Sequence, residues 1–265
     1  MDAKPDFKPG EPHEVVRVAL GKGDRFGLVA STHGDAAAYR EMLDLLGSMG
    51  ANRFFHAGDI TGEASDPSWC VMESMSPGHY AVQGNHDVLA VGHEHVHEYS
   101  EAVEQHAILT ARNLNPEARD LLRNAPAKIE TPFFCVTHES VAPPYYAKRS
   151  KRRRRSHGWD VGSGSDENTA AVCYSRIDRP YLIGSDHAAY AIVGQPSLKV
   201  VKPRPGDEFL APRRCVISIP SVAFSRDGDY DCGGIFGEIG DDGLMNLKFL
   251  SIHPASRSPV FQLPA

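Results

Sequence analysis

The N-terminal part of the chain switches repeatedly between short apolar runs and stretches of helical period. Val15 to Leu20 and Phe26 to Ala30 are β-branched and apolar, split by Gly21-Lys22-Gly23-Asp24, which predicts two strands around a turn. Residues 36–49 place Ala38, Met42, Leu45, Leu46 and Met49 at helical spacing, and Gly50 lies where a helix would stop. Arg53 to Ala57 predicts a strand, 66–76 a helix and His79 to Gln83 a third short strand. The order β-α-β-α-β implies a sheet with parallel neighbours and helices on its faces.

Further on, a polar, His-rich stretch at 93–106 precedes a short helix at Pro116 to Arg123 and a strand at Pro132 to Thr137. Residues 139–165 read as a long loop, punctuated by Pro143-Pro144 and by the glycines between 158 and 164. A helix at 166–177 leads to a strand at Tyr181 to Ile183. Strands then follow at 188–193, 198–202, 214–219, 232–239 and 245–251, separated by Gly, Pro and Asp. With no internal repeat and no linker, the expectation is a flexible arm over 1–14 and a single domain over 15–265, with a loop at about 139–165.

Composition supports this and narrows the setting. At 41% hydrophobic and 23% charged residues the chain can bury a sizeable core, which excludes wholesale disorder. No apolar stretch approaches the roughly 20 residues of a membrane span, and Met1-Asp2-Ala3-Lys4-Pro5 lacks the basic-then-apolar plan of a secretory signal. The net charge of −6 conceals a split. Residues 148–155, Lys-Arg-Ser-Lys-Arg-Arg-Arg-Arg, hold seven basic groups, so an acidic body carries one intensely basic spot. Five widely spaced cysteines without a CxxC pair fit reduced thiols in a cytoplasm.

Five segments put His, Asp or Asn directly after a predicted strand: Ser31-Thr32-His33-Gly34-Asp35, Gly58-Asp59, Gly84-Asn85-His86-Asp87, Thr137-His138-Glu139 and Gly184-Ser185-Asp186-His187. Carboxyl ends of strands form the ligand crevice of α/β sheets, so groups far apart in sequence converge there. Imidazoles and hard oxygen donors are the ligands of a divalent metal site. This ordered set resembles the calcineurin-like metallophosphoesterase superfamily, whose motifs run Asp-x-His, Gly-Asp, Gly-Asn-His-Asp/Glu, a strand-terminal His, then Gly-His-x-His. It looks closest to the small bacterial branch of phosphodiesterases and diadenosine-tetraphosphatase-like proteins, where a segment like Ser221-Val222-Ala223-Phe224-Ser225-Arg226-Asp227-Gly228-Asp229 also recurs.

The resemblance implies a four-layer αββα sandwich of two mixed sheets with the site on loops at one edge. It implies His33, Asp59 and His187 around one metal and Asp59, Asn85 and His138 around another, with Asp59 bridging. His86 would act as general acid toward the leaving oxygen. One or two divalent transition ions, Mn, Fe or Zn, would serve hydrolysis of a small phosphorylated or nucleotide-like substrate. Two departures stand out: Ser31 occupies the place of the first-motif Asp, and Ser185 that of the first His in the last motif. Each metal thereby loses one ligand, and the site loses a negative charge. Asp35 and Asp186 lie beside the altered positions, either to restore coordination or, for Asp35, to cap the following helix.

Three readings stay open at this level. One is metal-dependent hydrolysis of phosphate esters or anhydrides. Another is a mononuclear iron(II) enzyme, because His33, Asp59 and His187 form a two-imidazole, one-carboxylate set. The third is a non-catalytic member that binds a nucleotide or a partner. The basic run either attracts a polyanion, nucleic acid included, or is a solvated loop. His93, His95 and His97 form either an accessory metal site or an exposed polar stretch.

Overall fold

The computed structural model describes residues 15–92, 101–138, 174, 177–194, 197–223 and 228–262. Its first element, β1 (Val15–Arg17), is followed by β2 (Arg25–Val29), α1 (Ala36–Ser48), β3 (Arg53–His56), α2 (Pro67–Ser74) and β4 (His79–Ala81). Three helices come next, α3 (Asn85–Ala90), α4 (Glu101–Asn113) and α5 (Pro116–Arg123), then β5 (Lys128–Glu130), β6 (Cys135–Thr137) and β7 (Tyr181–Ile183). The C-terminal part is β8 (Tyr190–Gly194), β9 (Leu198–Val201), β10 (Glu208–Ala211), β11 (Cys215–Ser218), β12 (Cys232–Ile239) and β13 (Met245–Ile252).

These strands make two mixed sheets. One has the order β10-β13-β12-β2-β3-β4 and the other β1-β5-β6-β7-β11-β8-β9. As the β-α-β-α-β pattern requires, β2, β3 and β4 are parallel neighbours. The turn at residues 21–24 does not make a hairpin: β1 pairs with β5 in one sheet, and β2 with β12 and β3 in the other. A local turn signal fixes a change of direction but not the partner of either strand.

Alternation along β2 explains the layering. Phe26 and Leu28 point between the sheets, where Phe26, Phe55 and Phe134 meet with ring centroids 5.1–6.1 Å apart. Removing one such ring costs about 3–5 kcal/mol. Val29 faces the other way, toward Tyr39, Met42 and Leu46 of α1. Gly27 lies on that same face and must be glycine, since a Cβ would stand 2.9 Å from Leu46 and from Phe54. Cys135, Tyr181, Ile183, Tyr190 and Ile192 form a third apolar cluster with Ile177 on the outer face of the seven-stranded sheet, and Tyr174 packs against it. The helix expected at 166–177 and the basic run lie almost wholly outside the described residues.

Helix boundaries follow local chemistry. Asp35 caps α1 by accepting from the Ala38 N–H at 3.1 Å, and Gly50, at φ +95°, follows its end. Pro67 and Pro116 open α2 and α5, where the missing N–H costs nothing. The structure adds elements to those expected and trims others. Within the polar, His-rich stretch 93–106, α4 begins at Glu101. Asn85 to Ala90, which follows the strand expected at His79 to Gln83, is helical. The strands β5 and β10 carry no strong apolar run and were not expected. β1 and β6 are shorter than the apolar runs containing them, and β8 is shifted, beginning two residues after the expected start and ending one residue past the expected end, at Gly194.

Candidate metal centre

Every donor predicted from the sequence sits where a strand ends. The loops after β2 and β3 continue the parallel ladder beyond their strands: Ser31 N–H donates to the Gly58 carbonyl at 2.9 Å and His33 N–H to that of Asp59 at 3.0 Å. Gly184 and Ser185, after β7, donate to the His138 carbonyl after β6. The two sheets are joined here by Ser31, whose hydroxyl donates to the Gly184 carbonyl at 3.0 Å. Ser221 then donates to the Ser31 carbonyl, also at 3.0 Å. His33, Asp59, Asn85, His86, His138 and His187 therefore meet at one edge of the sandwich.

Their backbone is strained in a specific way. Ser31, His33, Asp59 and His187 all have left-handed φ, between +47° and +55°, and they are the only described non-glycine residues that do. Such conformations cost about 1–3 kcal/mol each and persist where the surroundings dictate them. Glycines admit the remaining backbone. A Cβ on Gly84 would lie 2.2 Å from the Asp59 nitrogen, and one on Gly58 2.6 Å from His138 Nδ1.

Ligand atoms of His33, Asp59 and His187 lie within 4.8 Å of one another, and all three side chains are buried. His33 Nε2 is 3.2 Å from His187 Nε2 and 3.9 Å from Asp59 Oδ2. On the other side of Asp59, its Oδ1 is 3.4 Å from His138 Nε2, which is also 3.1 Å from Asn85 Oδ1. The tautomer of His138 is decided by its other nitrogen: Nδ1 donates to the Ala57 carbonyl at 2.7 Å, so the Nε2 lone pair is directed at the two oxygens. Lone pairs facing one another need a proton or a cation between them. Two buried groups of N and O donors on opposite sides of one carboxylate thus fit the divalent ions that the fold family implies.

Electrostatics agree with this arrangement. Burial opposes ionisation of Asp59, but His138, His86 and His33 together hold its carboxyl well below the ordinary range. His86 is pushed down by burial, against the attraction of Asp59. Its backbone N–H donates to Asp59 Oδ1 at 3.0 Å, while its ring meets that of His33 edge-on at 4.7 Å. Asn85 and His86 are only half-buried and lie on the accessible side. Asp87, behind them, accepts from the N–H groups of Ile60, Thr61 and Gly84 and from the Thr61 hydroxyl, fixing α3 to the Asp59 loop.

The two acidic neighbours of the altered positions are engaged elsewhere. Asp35 accepts from Ala38 and Ser258 N–H groups and pairs with Arg257 at 3.2 Å. Asp186 accepts from the Tyr190 hydroxyl. The sequence reading missed Glu63. Its carboxylate lies 3.1 Å from His33 Nδ1, and with His33 and His86 it makes a further group of clustered donors. Its one signal is position, four residues beyond Asp59 in a Gly-containing loop. His93, His95 and His97 lie outside the described residues.

Comparison with known proteins bears on this centre. Curated proteins yield no match to the sequence. Among solved structures, a metallophosphoesterase from Sphaerobacter thermophilus superposes with a TM-score of 0.67 at 18% identity, over 88% of this chain and 90% of that one. A diadenosine tetraphosphatase-like protein gives a TM-score of 0.54 at 17% identity, over 91% and 100%. At these identities the likeness establishes the fold, an α/β sandwich of two mixed sheets. The family model for the calcineurin-like phosphoesterase superfamily domain matches residues 25–162, more than half of the chain and four of its five strand-end motifs, and the chain belongs to that superfamily.

Proposed function

We propose that this protein is a metal-dependent hydrolase of phosphate esters or anhydrides. The observation that carries the reading is the convergence of His33, Asp59 and His187, with His138 and Asn85 on the far side of the same carboxylate. A bound Mn, Fe or Zn ion would supply Lewis acidity, neutralising phosphoryl charge and making water a competent nucleophile at neutral pH. His33, Asp59 and His187 would hold one ion, and Asp59, Asn85 and His138 a second. Asp59 orients both halves because its two oxygens face different imidazoles. His33, Asp59, His138 and His187 are buried, which limits the access of bulk water to the ion from every side but that of Asn85 and His86.

His86 stands at the accessible rim, where its imidazolium can give a proton to the leaving oxygen. Such transfer needs positioning and charge neutralisation more than covalent help, so imidazoles and a carboxylate around a cation suffice. A nucleotide-like substrate is favoured by the likeness to the diadenosine tetraphosphatase-like protein. The four described cysteines, Cys70, Cys135, Cys215 and Cys232, are free and buried, which fits a reducing cytoplasm. Among the described residues no helix is long and apolar enough to cross a membrane.

The test is metal analysis of purified protein together with turnover of a generic phosphodiester in the presence of Mn, Fe or Zn. Wild type is expected to bind metal and turn over, and Asp59→Asn to lose both. No phosphoester turnover with any of these ions would refute the hydrolase. The compactness of the His33, Asp59 and His187 set also suits mononuclear iron(II); oxygen consumption with iron alone would favour that chemistry, and anaerobic hydrolysis would remove it.

A further inference from the structure

Glu63 belongs to none of the five motifs, yet its placement is closely specified. Its own carbonyl accepts from Phe261 N–H at 2.7 Å, and the preceding carbonyl, that of Gly62, accepts from the Thr110 hydroxyl of α4 at 2.7 Å. The following residue, Ala64, donates its N–H to the His33 carbonyl at 2.8 Å. Gly62 lies directly against the His33 ring, where a Cβ would fall 2.3 Å from Nδ1. The loop is therefore laced to α4, to the C-terminal segment and to the His33 loop. Its one carboxylate ends 3.1 Å from His33 Nδ1, a buried contact whose present alignment falls short of a hydrogen bond and that a small turn of the Glu63 carboxylate would complete, on the nitrogen opposite to the one that faces His187 and Asp59.

We propose that Glu63 is a positioning residue that accepts the His33 Nδ1 proton, fixes the ring with Nε2 directed into the Asp59 and His187 group, and returns to the centre the negative charge absent at Ser31. An imidazole that donates its second N–H to a carboxylate is held in one tautomer and one orientation, and becomes a stronger donor through its free nitrogen. Ser31 cannot do this, since its hydroxyl is directed at the Gly184 carbonyl. The inference rests on the reading of this cluster as a metal centre.

Calorimetric titration with Zn and long-range 1H–15N NMR of the histidine rings test it, on wild type, Glu63→Gln, Glu63→Ala and Asp59→Asn. Wild type is expected to bind Zn with His33 protonated at Nδ1. Gln can still accept the proton through its amide oxygen, so Glu63→Gln should keep this tautomer and bind about tenfold more weakly. Glu63→Ala should lose the tautomer preference and up to about 100-fold in affinity, the usual range for partners of metal-bound histidine. Wild-type affinity in Glu63→Ala, or Zn on His33 Nδ1 in wild type, overturns the inference while leaving the metal centre standing. Absence of Zn binding in wild type overturns both. Should Glu63→Ala not fold, undiminished affinity in the nearly isosteric Glu63→Gln overturns the charge role by itself.

Discussion

Ser31→Asp restores the carboxylate that related motifs carry, and its effect should change sign with metal. Ser31 is fully buried, and its hydroxyl donates to the Gly184 carbonyl at 3.0 Å. Without metal, Asp loses that hydrogen bond, worth about 1 kcal/mol, and leaves a carboxylate uncompensated in the interior, at about 3–5 kcal/mol. The backbone is no obstacle, because Ser31 lies at φ +53° and Asp is among the residues that best tolerate this region. In a chain of this size 1 kcal/mol is about 2–4 °C, so a cost of about 4–6 kcal/mol should lower the melting temperature under chelator by roughly 10–20 °C. With saturating Mn or Zn the new charge meets a cation, and each tenfold gain in affinity adds about 1.4 kcal/mol to the metal-bound state. Thermal melts with chelator and with a metal series, alongside calorimetry, measure both halves. Equal melting of variant and wild type under chelator, or a metal-induced rise no greater than in wild type, would show that residue 31 does not face the ions.

Two other outcomes follow from neighbouring groups. Asp35→Ala should lower stability by about 2 kcal/mol through loss of the α1 cap and the Arg257 pair, with unchanged metal affinity; weaker metal binding in calorimetry would instead make Asp35 a ligand. The His33–Glu63 pair should give the metal-free protein a pH-dependent stability. Burial opposes charge on both, but their mutual attraction prevails, lowering Glu63 from 4.5 to about 2 and raising His33 above 6.5. The Glu63 share is present above pH 4.5 and is lost as pH falls toward 2. The His33 share is present below pH 6.5 and is lost as pH rises through its folded value. Wild type should therefore exceed Glu63→Gln most between pH 4.5 and 6.5, by on the order of 2–3 kcal/mol in denaturant unfolding under chelator; a flat difference would refute the pair.

The elements legible in the sequence are those whose burial is one-sided and strong. The α1 stripe of Ala38, Met42 and Leu46 faces β2 and β12, so its period survives in the sequence. α4 buries only Ala107 and Thr110 among its described residues, and Thr110 is held by a hydrogen bond to Gly62, so no apolar stripe announces it. Among the described residues β10 is an edge strand paired with β13 alone, and Leu210 is 56% exposed, which erases the alternation of a buried strand. α3 begins at Asn85 itself, so the residues that make the motif are also the first turn of a helix too short to show a period. That the candidate residues would converge was legible for a different reason: a strand's end fixes where the next side chain goes, whatever the fold does elsewhere. Glu63 was not, because its contact with His33 depends on α4 and the C-terminal segment closing over its loop.

The strained backbone separates two meanings of the altered position. His33, Asp59 and His187 carry left-handed φ to bring their donors inward, and Ser31 carries the same strain although its hydroxyl is turned to a carbonyl. At about 1–3 kcal/mol, a serine free of constraint would relax. It does not, because its N–H is fixed to Gly58 and its carbonyl is shared by Ser221 and Ala223. Ser31 thus shares the backbone geometry of His33, Asp59 and His187 while its hydroxyl serves as a tether between the sheets. Decay of the centre would be expected to loosen this loop together with its neighbours. Instead His33, Asp59, His138 and His187 are buried with their donor atoms close together, and a carboxylate stands against the far side of His33, which is what the proposed metal centre would need to make up the charge absent at Ser31.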